Sequence, residues 1–336
     1  MVAGGYDAAG PEEEDRAMLR LWMTLLLAVA TPAALAQPYP TKPVRIVVPF
    51  APGGGVDVTA RILAQRLTEG LKQPFVVENR TGASGIIGTE AVVKSAPDGY
   101  TLLAGSQTTQ AVVPAIYKDQ VRYDTTRDLV PVAEIARAPF LIVVHPSLPV
   151  KSVGDLIKLA KEKPGQVRFG AASGGTPHMA GELFKLAAKV DLQFVPYKGE
   201  GPAISDALGG HIQLVFSNLP VALPLAREGK LRGIAVTSAQ RVPTAPEFPT
   251  AAESGLPGFD AFSWFGLFAP AATPREIVVK LNAEVVRGLN APDTKEKMAA
   301  QGLFTTTAGV DDFGAFVKKE TERWAQIVKE AGVKPE

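Results

Sequence analysis

No cysteine occurs in the 336 residues. That excludes disulfides, thiolate metal sites and a cysteine nucleophile, and leaves the redox compartment open. Histidine is nearly as scarce: His145, His178 and His211 lie over 30 residues apart, in no metal-ligand spacing. The nucleotide motif GxxxxGK[ST], the zinc motif HExxH, the nucleophile elbow GxSxG and the SxxK motif are all absent. Neither sign of charge dominates, with 35 Lys+Arg against 34 Asp+Glu. Residues 37–336 alone carry about +4, evenly spread, which excludes a nucleic-acid footprint. Long apolar runs are also missing. The longest, Leu21–Ala30, has ten residues, half of the roughly 20 that a spanning helix needs.

That short run has a different reading. Arg20 precedes it as a positive n-region, and Ala34-Leu35-Ala36 supplies a small-x-small cleavage pattern. Together they predict a secretory signal peptide cut after Ala36, so residues 1–36 are a leader and the mature protein is exported. Residues 1–17 are acidic and polar, unlike an n-region, which points to Met18 as the true start.

What the chain does have is apolar content, 46%, with 32 glycines and 28 prolines. It can bury a core and makes many tight turns between short elements. Val44–Phe50 reads as a buried strand, Asp57–Lys72 as a helix with Leu63, Leu67 and Leu71 on one face, and Phe75–Glu78 as a second strand. Ile86–Lys94 reads as a helix and Tyr100–Ala104 as a third strand. Strand-helix-strand-helix-strand at this spacing predicts a parallel sheet with right-handed crossovers. The pattern recurs with strands at Phe140–Val144, Val167–Ala171, Leu192–Val195, Ile212–Phe216 and Ile234–Val236 and helices between, among them one capped at Ser152 and one over Pro177–Ala188. The tail is helical. Thr273-Pro-Arg-Glu276 reads as a capping box with proline at the first helical position. Phe313, Phe316, Val317, Trp324, Ile327 and Val328 form a core-facing stripe before Gly332. The fold class is α/β, two lobes with a cleft between them where a small ligand would sit.

Three glycine-rich segments leave a strand and enter a helix. In Pro52-Gly-Gly-Gly-Val-Asp57 the free N–H groups and the helix dipole attract an anion, and the glycines let backbone approach it. Asp57 reads either as a cap or as a ligand contact, and would repel a pyrophosphate. In Gly170-Ala-Ala-Ser-Gly-Gly-Thr-Pro-His178, Ser173 and Thr176 add hydroxyls to the exposed amides of Gly174 and Gly175. His178, in the first turn, reads as structural. Asn79–Gly85 reads either as a tight turn held by Asn79 or as a pocket loop. Tyr197 reads equally as core or as pocket wall, and Trp264 as core.

Taken in order, several runs resemble the periplasmic receptors of tripartite tricarboxylate transporters, the Bug-type proteins. They are Pro49-Phe-Ala-Pro-Gly-Gly54 with Asp57 and Ala60-Arg61, Glu78-Asn-Arg-Thr-Gly-Ala-Ser-Gly85, and Ala96-Pro-Asp-Gly-Tyr-Thr-Leu102. Asp128–Val132, Ser173–His178, Val195-Pro-Tyr-Lys-Gly199, Pro249-Thr250 with Glu253 and Gly255, and Trp264-Phe-Gly266 with Pro270 follow, spanning residues 40–275. The resemblance implies a type II-like periplasmic binding fold whose chain crosses twice, near Phe140–His145 and Ala261–Ala269. Lobe one would then be 41–140 plus 265–336, and lobe two 141–264. It implies a ligand carboxylate held between the lobes by amides, hydroxyls and water. The implied ligand-binding residues are Gly54, Gly55, Val56, Asp57, Gln107, Thr108, Ser173, Gly174, Gly175, Thr176, Tyr197 and Ser217, with no cofactor and no metal. The implied role is a monomeric receptor, not an enzyme, that delivers a small organic acid to the membrane permease subunits of a tripartite tricarboxylate transporter. A sensing receptor with a signalling partner is the alternative. An exported α/β hydrolase using Ser173 or Ser84 lacks a base near either serine.

Overall fold

A computed structural model describes residues 1, 4, 5 and 39–335. The leader's apolar run, its cleavage motif and Met18 lie outside the described residues. Among the described residues ten strands, numbered in chain order with their ranges given below, form one sheet in the order β2-β1-β3-β9-β4-β7-β5-β6, with β8 and β10 also on β4. The first unit is β1 (Val44–Val48), α1 (Gly55–Leu71), β2 (Phe75–Asn79), α2 (Ile86–Val93) and β3 (Thr101–Ser106). Its three strands are parallel, as the strand-helix alternation predicts. A wide helical turn, Thr108–Val112, runs into α3 (Val113–Ile116).

β4 (Leu129–Val144) is far longer than the predicted Phe140–Val144. Its first part, Leu129–Pro139, pairs antiparallel with β9 (Phe262–Pro270). Its last part, Phe140–Val144, pairs with β7 (Leu214–Asn218) and β8 (Arg232–Val236). One strand therefore belongs to both halves of the sheet. The second half adds α4 (Val153–Glu162), β5 (Arg168–Ala172), α5 (Thr176–Ala188), β6 (Gln193–Tyr197), α6 (Glu200–Leu208) and α7 (Leu219–Arg227). There β6, β5 and β7 are parallel. The chain ends with α8 (Arg275–Asn290), α9 (Pro292–Ala300), β10 (Phe304–Thr305) and α10 (Val310–Ala331).

Each half has its own apolar centre. Val47, Leu103, Leu129, Trp264, Phe268, Phe313 and Val317 fill one. Phe140, Ile142, Phe169, Phe184 and Phe216 lead the other. Each such buried side chain contributes about 1.5–3 kcal/mol. In α10 the expected stripe is buried at Phe313, Val317, Trp324, Ile327 and Val328, and Gly332 closes the helix at φ 65°. Glu320 on the same helix is buried, and its Oε2 accepts from the indole N–H groups of Trp264 (3.2 Å) and Trp324 (2.9 Å). Beside a register shift in β4, Arg137 Nε donates to buried Glu134 at 2.6 Å, and its guanidinium lies against the rings of Phe262 and Phe316.

The helix start at Ser152 forms as predicted, its hydroxyl accepting from Asp155 N–H. The capping box at Thr273 does not form. Thr273 N–H closes a turn on Pro270, its hydroxyl is buried, and extended Pro274 becomes the N-cap of a helix that starts at Arg275. No helix among the described residues is long and apolar enough to cross a membrane.

Candidate functional site

The segments following β1, β3 and β5 and the first turns of α1 and α5 surround a cavity of ≈ 660 Å³. Gly54 caps α1, and Gly55 and Val56 open it. Gly175 caps α5, and Thr176 and Pro177 open it. All six line the cavity. Val58 N–H is the first amide of α1 to find a partner in its own helix, on Gly54 O, and Met179 N–H is the first of α5, on Gly175 O. The amides before them have no intrahelical acceptor, so two positive helix ends face one space.

The local geometry explains why glycine stands here. Gly53 turns the chain at φ 87°, a conformation that L side chains rarely adopt. A Cβ on Gly55 would sit 2.9 Å from the Phe265 ring, so α1 approaches β9 only without one. At Gly54 the nearest atom would be Ala51 O at 3.9 Å, which leaves open space on the cavity side.

Asp57 does not line the cavity. It is buried, and reaches back from the third helical position to accept from Gly53 N–H (2.9 Å). It also accepts from Arg61 Nε (2.9 Å) and Asn79 Nδ2 (2.8 Å). Burial pushes its carboxyl up, but the bonds from Arg61, Gly53 and Asn79 outweigh burial and hold it below the ordinary carboxylate range. Asn79 Nδ2 also donates to Phe50 O, so the turn that begins with Asn79 braces the glycine loop.

Of the residues expected at the site, Gly54, Gly55, Val56, Thr108, Gly175 and Thr176 line this cavity. Asp57, Gln107, Ser173, Gly174, Tyr197 and Ser217 do not. Gln107 is buried beyond β3. Ser173 and Gly174 line a smaller cavity of ≈ 250 Å³ with His178 and Glu182. There His178 Nδ1 accepts from Gly174 N–H and its ring stacks on Phe194. Tyr197 OH donates to Asp206 at 2.7 Å, and burial, with Asp206 adding to it, pushes the phenol up to about 12. Ser217 is fully buried and donates to Glu200 at 2.6 Å.

Polar residues that the sequence reading passed over also line the cavity, among them Ser106, Ser263, Glu200 and Gln301. Ser106 is buried and its hydroxyl has no partner among the described residues. Ser263, on β9, donates to Thr176 Oγ1 at 2.7 Å, which leaves the Thr176 proton for another acceptor. Ser106 immediately precedes the expected Gln107-Thr108 pair, and Glu200 follows the Pro196–Gly199 motif by one residue. Their chemistry was visible, but their placement was not. No cluster of metal-ligating side chains is found among the described residues.

Two α/β halves sharing a strand, with facing helix N-termini between them, define a two-lobed solute-binding protein of the periplasmic type. Residues 59–333 match the family described as "Tripartite tricarboxylate transporter family receptor", and the chain belongs to that family. It is 40% identical to Protein BugT of Bordetella pertussis (strain Tohama I), over 94% of this chain and 99% of that protein. Among solved structures it is similar to R. palustris Rpa4515 with adipate, with a TM-score of 0.78 and 40% identity over 89% of this chain and 100% of that one. It is also similar to MatC from Rhodopseudomonas palustris with bound malate, with a TM-score of 0.73 and 32% identity over 86% of this chain and 100% of that one. The family is one of receptors, and these two neighbours hold adipate and malate.

Proposed function

We propose that this protein is a periplasmic receptor that closes on a small organic acid and delivers it to the membrane permease of a tripartite tricarboxylate transporter, without chemical conversion. The observation that carries the reading is the cavity wall. Free amides of two helix starts and the unpartnered Ser106 hydroxyl meet in one space, a donor set suited to a carboxylate. The adipate and malate held by the two related structures support the same ligand class. The ligand carboxylate lies against Gly54–Val56 and Thr176, with Ser106, Thr108 and Ser263 beside it. The moving parts are residues 41–140 with 265–336, and 141–264, turning about β4 and β9. The mature receptor begins after Ala36 and acts as a monomer.

Mass spectrometry of the denatured, freshly purified protein identifies a copurifying acid. Ligand at 100 times its Kd adds about 2.7 kcal/mol of stability. For a protein of this size that raises Tm by about 4–5 °C. Carboxylates should produce the shift, whereas matching amides and sugars should not; a panel in which no carboxylate shifts Tm refutes the reading. Deleting the gene should abolish cellular uptake of the acid that the purified protein binds. Undiminished uptake would replace delivery with a sensing role.

A further inference from the structure

Glu200 is the one acidic side chain among the described residues lining the cavity, and Lys198 the one basic. Glu200 opens α6, where a negative charge suits the helix end. Its carboxylate is also pinned from outside that helix. Oε1 accepts from Ser217 Oγ (2.6 Å) and Asn218 N–H (2.7 Å), and Oε2 from Asn218 Nδ2 (2.6 Å). A carboxylate offers about four lone-pair positions, so one remains, on Oε2. Ser217 is fully buried, and its hydroxyl is committed to this carboxylate and to Asn218 O. Lys198, by contrast, is exposed on a flexible stem.

The cavity is therefore lined by amide and hydroxyl donors that favour an anion, and also by a fixed anion with one acceptor position left. A second ligand carboxylate reaching Glu200 would meet like charge inside a closing site. An ammonium group there would meet opposite charge and a free acceptor. We propose that Glu200 selects acids bearing an ammonium group remote from the bound carboxylate, over dicarboxylates of the same length, with Ser217 and Asn218 as its positioning residues. This rests on the carboxylate-receptor reading above and names the other end of the ligand.

The test is calorimetric titration of the mature protein with γ-aminobutyrate, δ-aminovalerate and ε-aminocaproate against succinate, glutarate and adipate, and with the matching hydroxy acids. At least one amino acid of the series should bind about tenfold or more tighter than its dicarboxylate partner, and Glu200→Gln should erase or invert that ratio. Lys198→Met should leave the preference in place. Glu200→Gln keeps an acceptor for Ser217, and its far-ultraviolet spectrum checks that it folds. Equal or tighter binding of dicarboxylates or hydroxy acids by the wild type overturns the selection and leaves the carboxylate-receptor reading standing. So does a ratio that Glu200→Gln does not move, or one that depends on Lys198 instead. Failure of every carboxylate to bind overturns both.

Discussion

Replacing Asp57 with Asn removes one charge from the centre of the glycine loop and changes little in shape. The native carboxylate takes Gly53 N–H and Arg61 Nε on one oxygen and Asn79 Nδ2 on the other. An asparagine side chain must turn an NH2 toward one of these donors. Asn79 cannot flip to relieve the conflict, because its Nδ2 also donates to Phe50 O and its Oδ1 accepts from Arg61. A hydrogen bond to a buried charged group contributes about 1.5–3 kcal/mol. Arg61 is half-exposed and finds water when released, so the upper part of that range is discounted to about 2 kcal/mol. Unfolding the about 300 residues from Lys42 onward, at about 2.1 cal/mol/K each, has an entropy of about 0.6 kcal/mol/K. Tm should therefore fall by about 3 °C near neutral pH.

The pH dependence separates this cause from a packing defect. The Asp57 carboxyl is held low in the folded protein, so its contribution is fully present above the unfolded value of about 3.9 and is lost as pH falls through the folded value. The difference in Tm between wild type and Asp57→Asn should shrink steadily below about pH 4. Differential scanning calorimetry of both proteins across that range measures it. A difference that stays constant down to acid pH, or no difference at neutral pH, would show that the three bonds do not brace the loop.

Other substitutions reach the cavity and the core separately. Gly54→Val has room to fold, since nothing lies within 3.8 Å of its Cβ position, but fills the space where a ligand meets α1; it should abolish titratable binding with a near-native melting curve. Thr176→Val removes one hydroxyl from the cavity and should weaken carboxylate binding by about 1–3 kcal/mol, or about 5- to 150-fold in Kd, while leaving buried Ser263 without its acceptor. Glu320→Ala strands two buried indole N–H groups at about 1–3 kcal/mol each, so chemical denaturation should report a loss of about 2–6 kcal/mol with ligand affinity retained.

The first α/β unit was legible because each element carries its own signature. Val44, Ile46, Val47 and Val48 are β-branched, Gly53 must turn, and Leu63 and Leu67 fall on one helical face. The length of β4 was hidden by Pro131 and Pro139, which argue against a central strand. The strand accommodates them with register shifts against β9 near Pro131 and with a change of partners just after Pro139. β9 itself, FSWFGLFAP, is apolar on both faces apart from Ser263 and has no alternation to read. At the site, glycines announced themselves because the backbone requires them. Ser106, Ser263 and Glu200 are ordinary residue types whose importance comes from what the fold places opposite them. Ser217 had the right chemistry to touch a ligand, but one turn of packing gives its hydroxyl to Glu200 instead.

The shared strand also sets the order in which this molecule can be finished. Leu103 of β3 pairs with Phe268, and Leu129 of β4 with Pro270, partners separated by 165 and 141 residues. β1, β2 and β3 can associate while the chain is still short, but β3 then presents a bare edge until residues 262–270 arrive. Closing such long loops adds little to the equilibrium cost, since each doubling adds only about 0.6 kcal/mol, yet it slows folding strongly. The middle of the sheet is therefore completed from the far end of the chain, and a nascent or partly threaded polypeptide lacks the strand that would lock it.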